Sequence, residues 1–158
     1  FFVGFGWAKA VPVDPRYFKK PKEGMALTAL AGPVSNFLLA VIALSGSKVI
    51  YLYASYSVWM ELLFNFLLYT VAPLSIGLGL FNLIPIPPLD GSKVLFSLLP
   101  DRVYAMILRY ERYLVLAVIF LAWSGVFSGP VGAAMESILR VLCGLSGFPF
   151  EIPQYYFF

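Results

Sequence analysis

The feature that most constrains this chain is a run of 21 residues without a charged side chain, residues 25–45. As an α-helix, such a run extends about 31 Å, which matches the hydrocarbon thickness of a bilayer. A second apolar run, residues 58–80, carries one charge, Glu61, near its start. Because 61% of the 158 residues are hydrophobic and only 12% are charged, there is too little polar surface for a water-soluble exterior. The chain is therefore predicted to be an integral, multi-pass membrane protein.

Two further apolar stretches predict additional helices. Residues 103–127 carry Arg109, Glu111 and Arg112 in their first half, so we expect an interfacial helical beginning followed by a short or tilted span. Residues 129–145 carry Glu136 and Arg140 as an i,i+4 pair and either span the bilayer or lie partly in its interface. The predicted fold is a single all-α membrane domain over residues 1–158, with about three to four transmembrane or membrane-embedded helices.

The basic residues predict how the chain is oriented. Five of them precede the first apolar run, and only Lys48 lies between the two runs. Those that follow the second run closely are Lys93, Arg102, Arg109 and Arg112. By the positive-inside rule, the N-terminal segment 1–24 and the segment after the second helix face the cytoplasm, and the loop with Lys48 faces outwards. A formal charge of +3 is too small to indicate a nucleic-acid partner, so membrane lipid is the partner that composition predicts.

Residues 1–24 begin with a period-two pattern, which predicts a short extended segment. Bulky residues alternate there with small or turn-forming ones, and the bulky residues are Phe5, Trp7, Lys9, Val11 and Val13. Pro12 restricts this segment to an edge strand, because proline cannot donate to a central ladder. The alternative is a simple interfacial turn anchored by Trp7.

The segment NLIPIPPLDG, residues 82–91, breaks the apolar pattern with three prolines, an aspartate and a glycine. Prolines interrupt a helical ladder and bias the residue before them towards extended backbone, so we expect a loop here. Such backbone occurs at membrane depth only where protein buries it or a water-filled cavity receives it, and an ionisable group at that depth indicates function. The alternative is a surface Asp-Gly turn between two helices.

The first interpretation predicts the Asp90 carboxylate at a hydrated pocket on the cytoplasmic side. There it would relay protons, bind a cation or complete a metal site, and the residues do not rank these roles. A zinc site needs about three protein ligands and a water, normally with histidines among them. The chain has no histidine, and its single cysteine, Cys143, is predicted to be buried in an apolar helix. These residues alone therefore do not build a catalytic zinc site.

Three segments, GWAKAVPVDPRYF, MALTALAGPVSNFLLA and FNLIPIPPLDGSKVL, carry a family resemblance. In their order and spacing they resemble the site-2 protease family of intramembrane zinc metallopeptidases, in its compact bacterial type without a PDZ insertion. The resemblance covers about residues 6 to 112 and implies a bacterial plasma-membrane enzyme that cleaves transmembrane segments of other proteins. In that family, two histidines of an HExxH motif and the aspartate of an LDG motif hold one zinc ion, so Asp90 would be the third ligand.

This chain departs from the family pattern because it has no HExxH motif. In the family that motif lies upstream of the GWAK segment and also supplies the general base, so we expect a C-terminal part of a longer protein that is inactive alone. The match further implies that Asn82 stabilises an oxyanion, where the alternative is a helix-end cap or an interhelical hydrogen bond. It also implies that the edge strand, with Trp7, Lys9 and Val11, holds an extended substrate by strand addition.

The alternative function is a non-catalytic membrane scaffold or transport component that uses Asp90 as a polar site. Within the first apolar run, Gly32 and Asn36 lie one helical turn apart among other small residues. This pattern predicts a face for close helix packing, with Asn36 available for an interhelical hydrogen bond. Neither residue is assigned a catalytic role.

Overall fold

The computed structural model describes residues 14–53 and 57–146, and the predicted edge strand with Trp7, Lys9 and Val11 lies outside them. Within these ranges the regular elements are all helical, which confirms the predicted all-α fold. After a 3-10 turn at Pro15–Tyr17, the helices are α1 (Pro21–Tyr53), α2 (Val58–Phe66), α3 (Ala72–Leu83), α4 (Asp90–Ser97), α5 (Asp101–Trp123) and α6 (Ser128–Ser146).

Two helical segments are long and apolar enough to cross a membrane. They are α1 and the continuous rod Val58–Leu83, in which a π-helical turn, Leu67–Val71, joins α2 to α3. The segments Arg112–Trp123 and Ser128–Leu145 pass the same criterion only as a pair, bent by 74° at their junction. The described chain therefore has two spans, or three if the bent pair forms one, which supports a membrane protein.

Helix α1 is longer than the predicted run 25–45 at both ends. It begins at Pro21, whose fixed φ suits a first helical position, and it continues past Lys48 to Tyr53. Lys48 therefore lies on a helix and not in the predicted outer loop. A lysine is compatible with such a helix, because long side chains of this kind can place their apolar stem along apolar surface and their ammonium in polar surroundings.

The second predicted helix, 58–80, is also longer, because the rod continues to Leu83. The predicted loop 82–91 is correspondingly shorter: Asn82 lies in the last turn of α3 and Asp90 is the first residue of α4. The predicted helix 103–127 begins earlier, at Asp101, and ends earlier, at Trp123. It is followed by Gly125 with φ +75, a left-handed conformation that terminates helices.

The core lies where α1 contacts the rod and α6. It is built from small and branched apolar side chains: Ala40, Ala43 and Leu44 of α1, Leu68 of the π turn, Ala72 and Ile76 of α3, and Leu139 and Cys143 of α6. In lipid the association of helices depends on close packing more than on the hydrophobic effect, which favours such small residues at the contact. This packing fixes α3, and with it the chain that follows, against α1.

Candidate active site

The loop between α3 and α4, residues 84–89, determines where Asp90 stands. Ile84 precedes Pro85 and has the extended backbone expected there, with φ −59 and ψ 128. The loop closes through hydrogen bonds from the Ile86 N–H to the Ile84 carbonyl (2.9 Å) and from the Leu89 N–H to the Ile86 carbonyl (3.0 Å). Leu89 is again extended, and α4 begins directly after it. The prolines thus end one helix and place Asp90 at the start of the next.

Gly91, the glycine of the LDG motif, lies against the end of α3. A Cβ at this position would overlap the carbonyl of Leu83 and would stand 2.8 Å from the carbonyl oxygen of Ile84. Both obstacles are backbone atoms, which cannot rotate away as a flexible side chain can. A glycine is therefore required for α4 to fold back this closely onto α3.

The Asp90 carboxylate lies between α4 and α1, with its side chain 33% exposed. Its Oδ1 accepts a hydrogen bond from Lys93 Nζ at 2.9 Å. Its Oδ2 is directed to α1, where it stands 3.4 Å from the position that a Cβ on Gly32 would take. Within the described residues, Oδ2 accepts no hydrogen bond. Asp90 is accordingly part of a contact between two helices and not of an isolated surface turn.

A second contact holds α4 alongside α1. Lys22 Nζ, in the first turn of α1, donates to the Leu99 carbonyl at 3.0 Å, just beyond the end of α4. Since Asp90 at the beginning of α4 faces Gly32 and Leu99 lies near Lys22, α4 runs antiparallel to the first part of α1.

Asn82 is half-buried in the last turn of α3. Its side-chain amide makes no hydrogen bond to any residue that the structure describes, so neither the helix cap nor the interhelical bond considered from the sequence is formed there. Beside it, Phe81 packs edge-on against Phe127, with ring centroids 5.9 Å apart. The turn between α5 and α6 is thereby brought to the end of α3. Asn36 is also half-buried, and within the described chain it forms no interhelical hydrogen bond.

Asp90 is suited to contribute one oxygen to a metal, but no complete ligand set is present in the described residues. Across 14–53 and 57–146 no three or more His, Cys, Asp or Glu side chains come together to hold an ion. Cys143 packs inside the apolar core of α1, α3 and α6. The arrangement therefore fits a single carboxylate ligand, and a zinc ion would need further ligands from other residues.

A groove of about 600 Å³ lies between α3 and the α5–α6 region. It is lined mainly by apolar side chains of α3 and of the α5–α6 region, including Pro73, Gly77, Phe81, Phe127 and Met135. Neither Asp90 nor Asn82 lines it, so this groove is separate from the candidate site.

Two residues at the site were not assigned to it from the sequence. Gly32 was interpreted as a packing residue, and Lys93 as one of the charges that set orientation. The i,i+3 spacing from Asp90 to Lys93 was a signal in the sequence, because such residues are neighbours on a helix. Nothing in the local sequence places Gly32 beside Asp90, since that contact depends on how α4 packs against α1.

Comparison with known proteins identifies the class of protein. The profile of peptidase family M50 matches residues 46–125, which include both Asn82 and Asp90. The Bacillus subtilis (strain 168) protein named "Putative zinc metalloprotease YwhC" is 35% identical over 152 residues, covering 90% of this chain and 68% of that protein. The chain therefore belongs to peptidase family M50, which confirms the resemblance to site-2 proteases.

More distant relatives share only part of their length with this chain. Zinc metalloprotease MJ0392 of Methanocaldococcus jannaschii is 35% identical over 86 residues, which are 53% of this chain and 22% of that protein. A protein of Mesorhizobium japonicum named as zinc metalloprotease mll0638 is 38% identical over 73 residues, 40% of this chain and 20% of its own length. No solved structure matches.

Proposed function

We propose that this chain is part of an intramembrane zinc metalloprotease, and that it supplies the aspartate ligand of the zinc ion. Together with residues outside this chain, the zinc site would cleave transmembrane proteins. The observation that carries the proposal is the Asp90 carboxylate, which presents an oxygen without a hydrogen-bond partner in the described chain at the contact of α4 with α1. Membership of family M50 and the names of the relatives support zinc as the metal.

The position of Asp90 along α1 supports a reaction inside the bilayer. Gly32, which faces Asp90, lies seven residues after Met25, where the uncharged run begins, and seven helical residues extend about 10 Å. Helix α4 then leads back along α1 to Lys22, at the charged end of that helix. The carboxylate therefore lies about 10 Å further along α1 than Met25, where the uncharged run begins. The basic residues at this end favour the cytoplasmic side.

The chemistry divides between this chain and residues beyond it. Zinc in such a site lowers the pKa of a bound water and polarises a carbonyl. Asp90 would hold the ion through one oxygen. Because the 158 residues include no histidine and the described residues form no group of three possible ligands, we expect the remaining ligands to come from another part of a longer protein or from a second chain. The family resemblance implies that the general base comes from there as well. By itself this chain would then be inactive.

Asn82 is proposed to stabilise the transition state. An amide N–H that is fixed near the scissile carbonyl lowers the energy of the oxyanion that forms when the carbonyl is attacked. The half-buried Asn82 amide has no competing partner among the described residues, which leaves its donors available. The substrate would be the membrane segment of another protein, unwound and held by the edge strand of Trp7, Lys9 and Val11.

The test uses the full-length protein in membranes or nanodiscs. Asp90→Ala is expected to lose bound zinc and cleavage of a reporter transmembrane segment. The control Asp14→Ala removes a carboxylate that bonds locally to the Arg16 backbone N–H, and it should change neither. Unchanged zinc occupancy in Asp90→Ala would contradict the proposal. Zinc-free wild-type protein would instead favour the alternative, a non-catalytic scaffold or transport component.

A further inference from the structure

The two oxygens of the Asp90 carboxylate have different surroundings. Oδ1 is bound by the ammonium group of Lys93, one turn later on the same helix, at 2.9 Å. Oδ2 is directed away from α4 to Gly32 on α1, and it accepts no hydrogen bond from the described residues. The carboxylate is therefore held from one side only.

We propose that Lys93 and Gly32 together determine which Asp90 oxygen binds the metal. Lys93 is a positioning residue that occupies Oδ1, and Gly32 keeps the space beside Oδ2 open. This inference rests on the proposed function, because it requires Asp90 to be a metal ligand, and it adds that Asp90 binds through Oδ2 alone.

The role of Lys93 follows from the geometry of carboxylate ligands. A carboxylate can bind a metal through one oxygen or both, and an ammonium group that holds one oxygen also stops the group from rotating. Hydrogen-bond partners of metal ligands fix the orientation of those ligands in this way. The side chains of Lys93 and Asp90 are 46% and 33% exposed, and partly exposed ion pairs contribute little to the stability of a fold.

The role of Gly32 follows from what surrounds it. In a helix interior glycine is less favourable than alanine, but a glycine alone does not indicate a function, because Gly132 and Gly144 of α6 have no atom of another described segment within 4 Å of their Cβ positions. At Gly24 and Gly91 a Cβ would overlap neighbouring atoms. At Gly32 the Asp90 Oδ2 is the one atom of another described segment within 4 Å of the Cβ position, at 3.4 Å. An alanine would fit against the backbone, but its methyl group would cover the free oxygen.

The experiment measures zinc affinity in the full-length protein by competition with a coloured chelator. Lys93→Met and Gly32→Ala are each expected to bind zinc about 10-fold more weakly, the lower end of effects at partners of metal ligands. Lys93→Arg restores a donor to Oδ1 and should bind nearly as tightly as wild type. Lys20→Met is the matched control, because Lys20 and Glu23 form the same kind of i,i+3 pair, at 2.8 Å, away from Asp90.

A spectroscopic measurement separates positioning from a general structural effect. X-ray absorption at the zinc edge should show one carboxylate oxygen from Asp90 in the wild type and an additional oxygen neighbour in Lys93→Met, because Oδ1 is then released. Unfolding measurements should show that Lys93→Met and Lys20→Met are equally stable. A Lys93→Met protein that binds zinc as tightly as wild type, or more tightly, would show that Lys93 does not position the ligand.

Asp90→Ala in the same series distinguishes this inference from the proposed function. If Asp90→Ala keeps its zinc, Asp90 is not a ligand and the proposed function loses its main support. If Asp90→Ala loses zinc while Lys93→Met and Gly32→Ala bind normally, only the positioning inference is wrong. If Gly32→Ala fails to fold, the Lys93 variants still test the inference, because Lys93 lies on a different helix.

Discussion

Helix α1 makes two contacts in which small residues have opposite roles: in one they allow close packing, and in the other a small residue leaves space. In its second half, Ala40 and Ala43 are buried and allow close contact with Ala72 and its neighbours on the rod. In its first half, Gly32 leaves space beside the Asp90 carboxylate. One contact is filled and apolar, and the other is open and polar. A small residue on a membrane helix can therefore allow two helices to pack closely, or it can leave a polar group accessible. Its neighbours show which of these two roles it has.

If the two contacts have separate roles, a change at the open one should affect chemistry and leave stability intact. The largest effect on chemistry is expected from Asn82→Ala at the end of α3, against which α4 and its Asp90 pack, with kcat of the full-length protein lowered about 100-fold or more, as for the loss of one oxyanion donor. Zinc content and thermal unfolding should stay at wild-type values.

The matched control for this variant is Asn65→Ala, which removes an exposed asparagine from α2. It should leave kcat unchanged. A kcat for Asn82→Ala within a few-fold of wild type would remove Asn82 from the catalytic machinery.

A change in the filled contact should lower the stability of the fold and leave the chemistry intact. Ile76→Ala removes a fully buried side chain of α3 and should lower the free energy of unfolding by about 3 kcal/mol through lost contacts and a cavity. The control is Leu74→Ala, since Leu74 lies on the same helix and is 60% exposed. Denaturant titration in detergent measures both, and equal effects of the two variants would contradict the assigned core.

A substitution at the link between the two contacts should disturb both. Gly91→Ala places a methyl group against the Leu83 and Ile84 carbonyls and should destabilise the protein by about 2 kcal/mol, as overpacking does. Because α4 then shifts away from α3, zinc affinity should fall as well. Gly129→Ala is the control, as no atom of the described chain lies within 4 Å of its Cβ position. Loss of stability with wild-type zinc affinity would show that the two contacts are independent.

The smallest effect is expected outside both contacts. Leu116 of α5 is 65% exposed, so Leu116→Ala should change the free energy of unfolding by no more than about 0.5 kcal/mol. A larger loss would mean that this face of α5 is covered by another protein segment in the membrane. The same denaturant titration would detect it.

Much of the helical fold follows from local patterns, and the tertiary contacts do not. The uncharged run after Met25 and the apolar run from Val58 are sufficient to predict two spanning helices, because lipid requires their backbone groups to bond internally. Charge does not mark the ends of these helices, because α1 continues through Lys48 to Tyr53. The early end of α5 depends on the left-handed backbone of Gly125, which the apolar pattern after it conceals.

The candidate site divides in the same way. Asp90 could be selected from the sequence because prolines and a carboxylate stand out in an apolar chain. The pairing of Asp90 with Lys93 follows from their i,i+3 spacing, but the position of Gly32 beside Asp90 could not be predicted from the sequence. Gly32 is 58 residues before Asp90 in the chain, and its meaning depends on the antiparallel course of α4 along α1.

The π turn at Leu67–Val71 has a consequence for the register of everything after it. In this turn the Ala72 N–H bonds to the Leu67 carbonyl, five residues back, so the rod holds one residue more than a regular α-helix would. Each residue advances an α-helix by about 100°. The π turn accommodates this extra residue locally, so deleting one residue here would restore regular α-helical bonding and leave the phase of α3 nearly unchanged. The same deletion in the regular helical turns before Ile76 would rotate the rest of α3 by that angle about its own axis. Ile76 would then turn away from α1, and the loop that carries Asp90 would leave α3 in a different direction. The π turn thus keeps the residues on both sides of it facing α1 despite the additional residue.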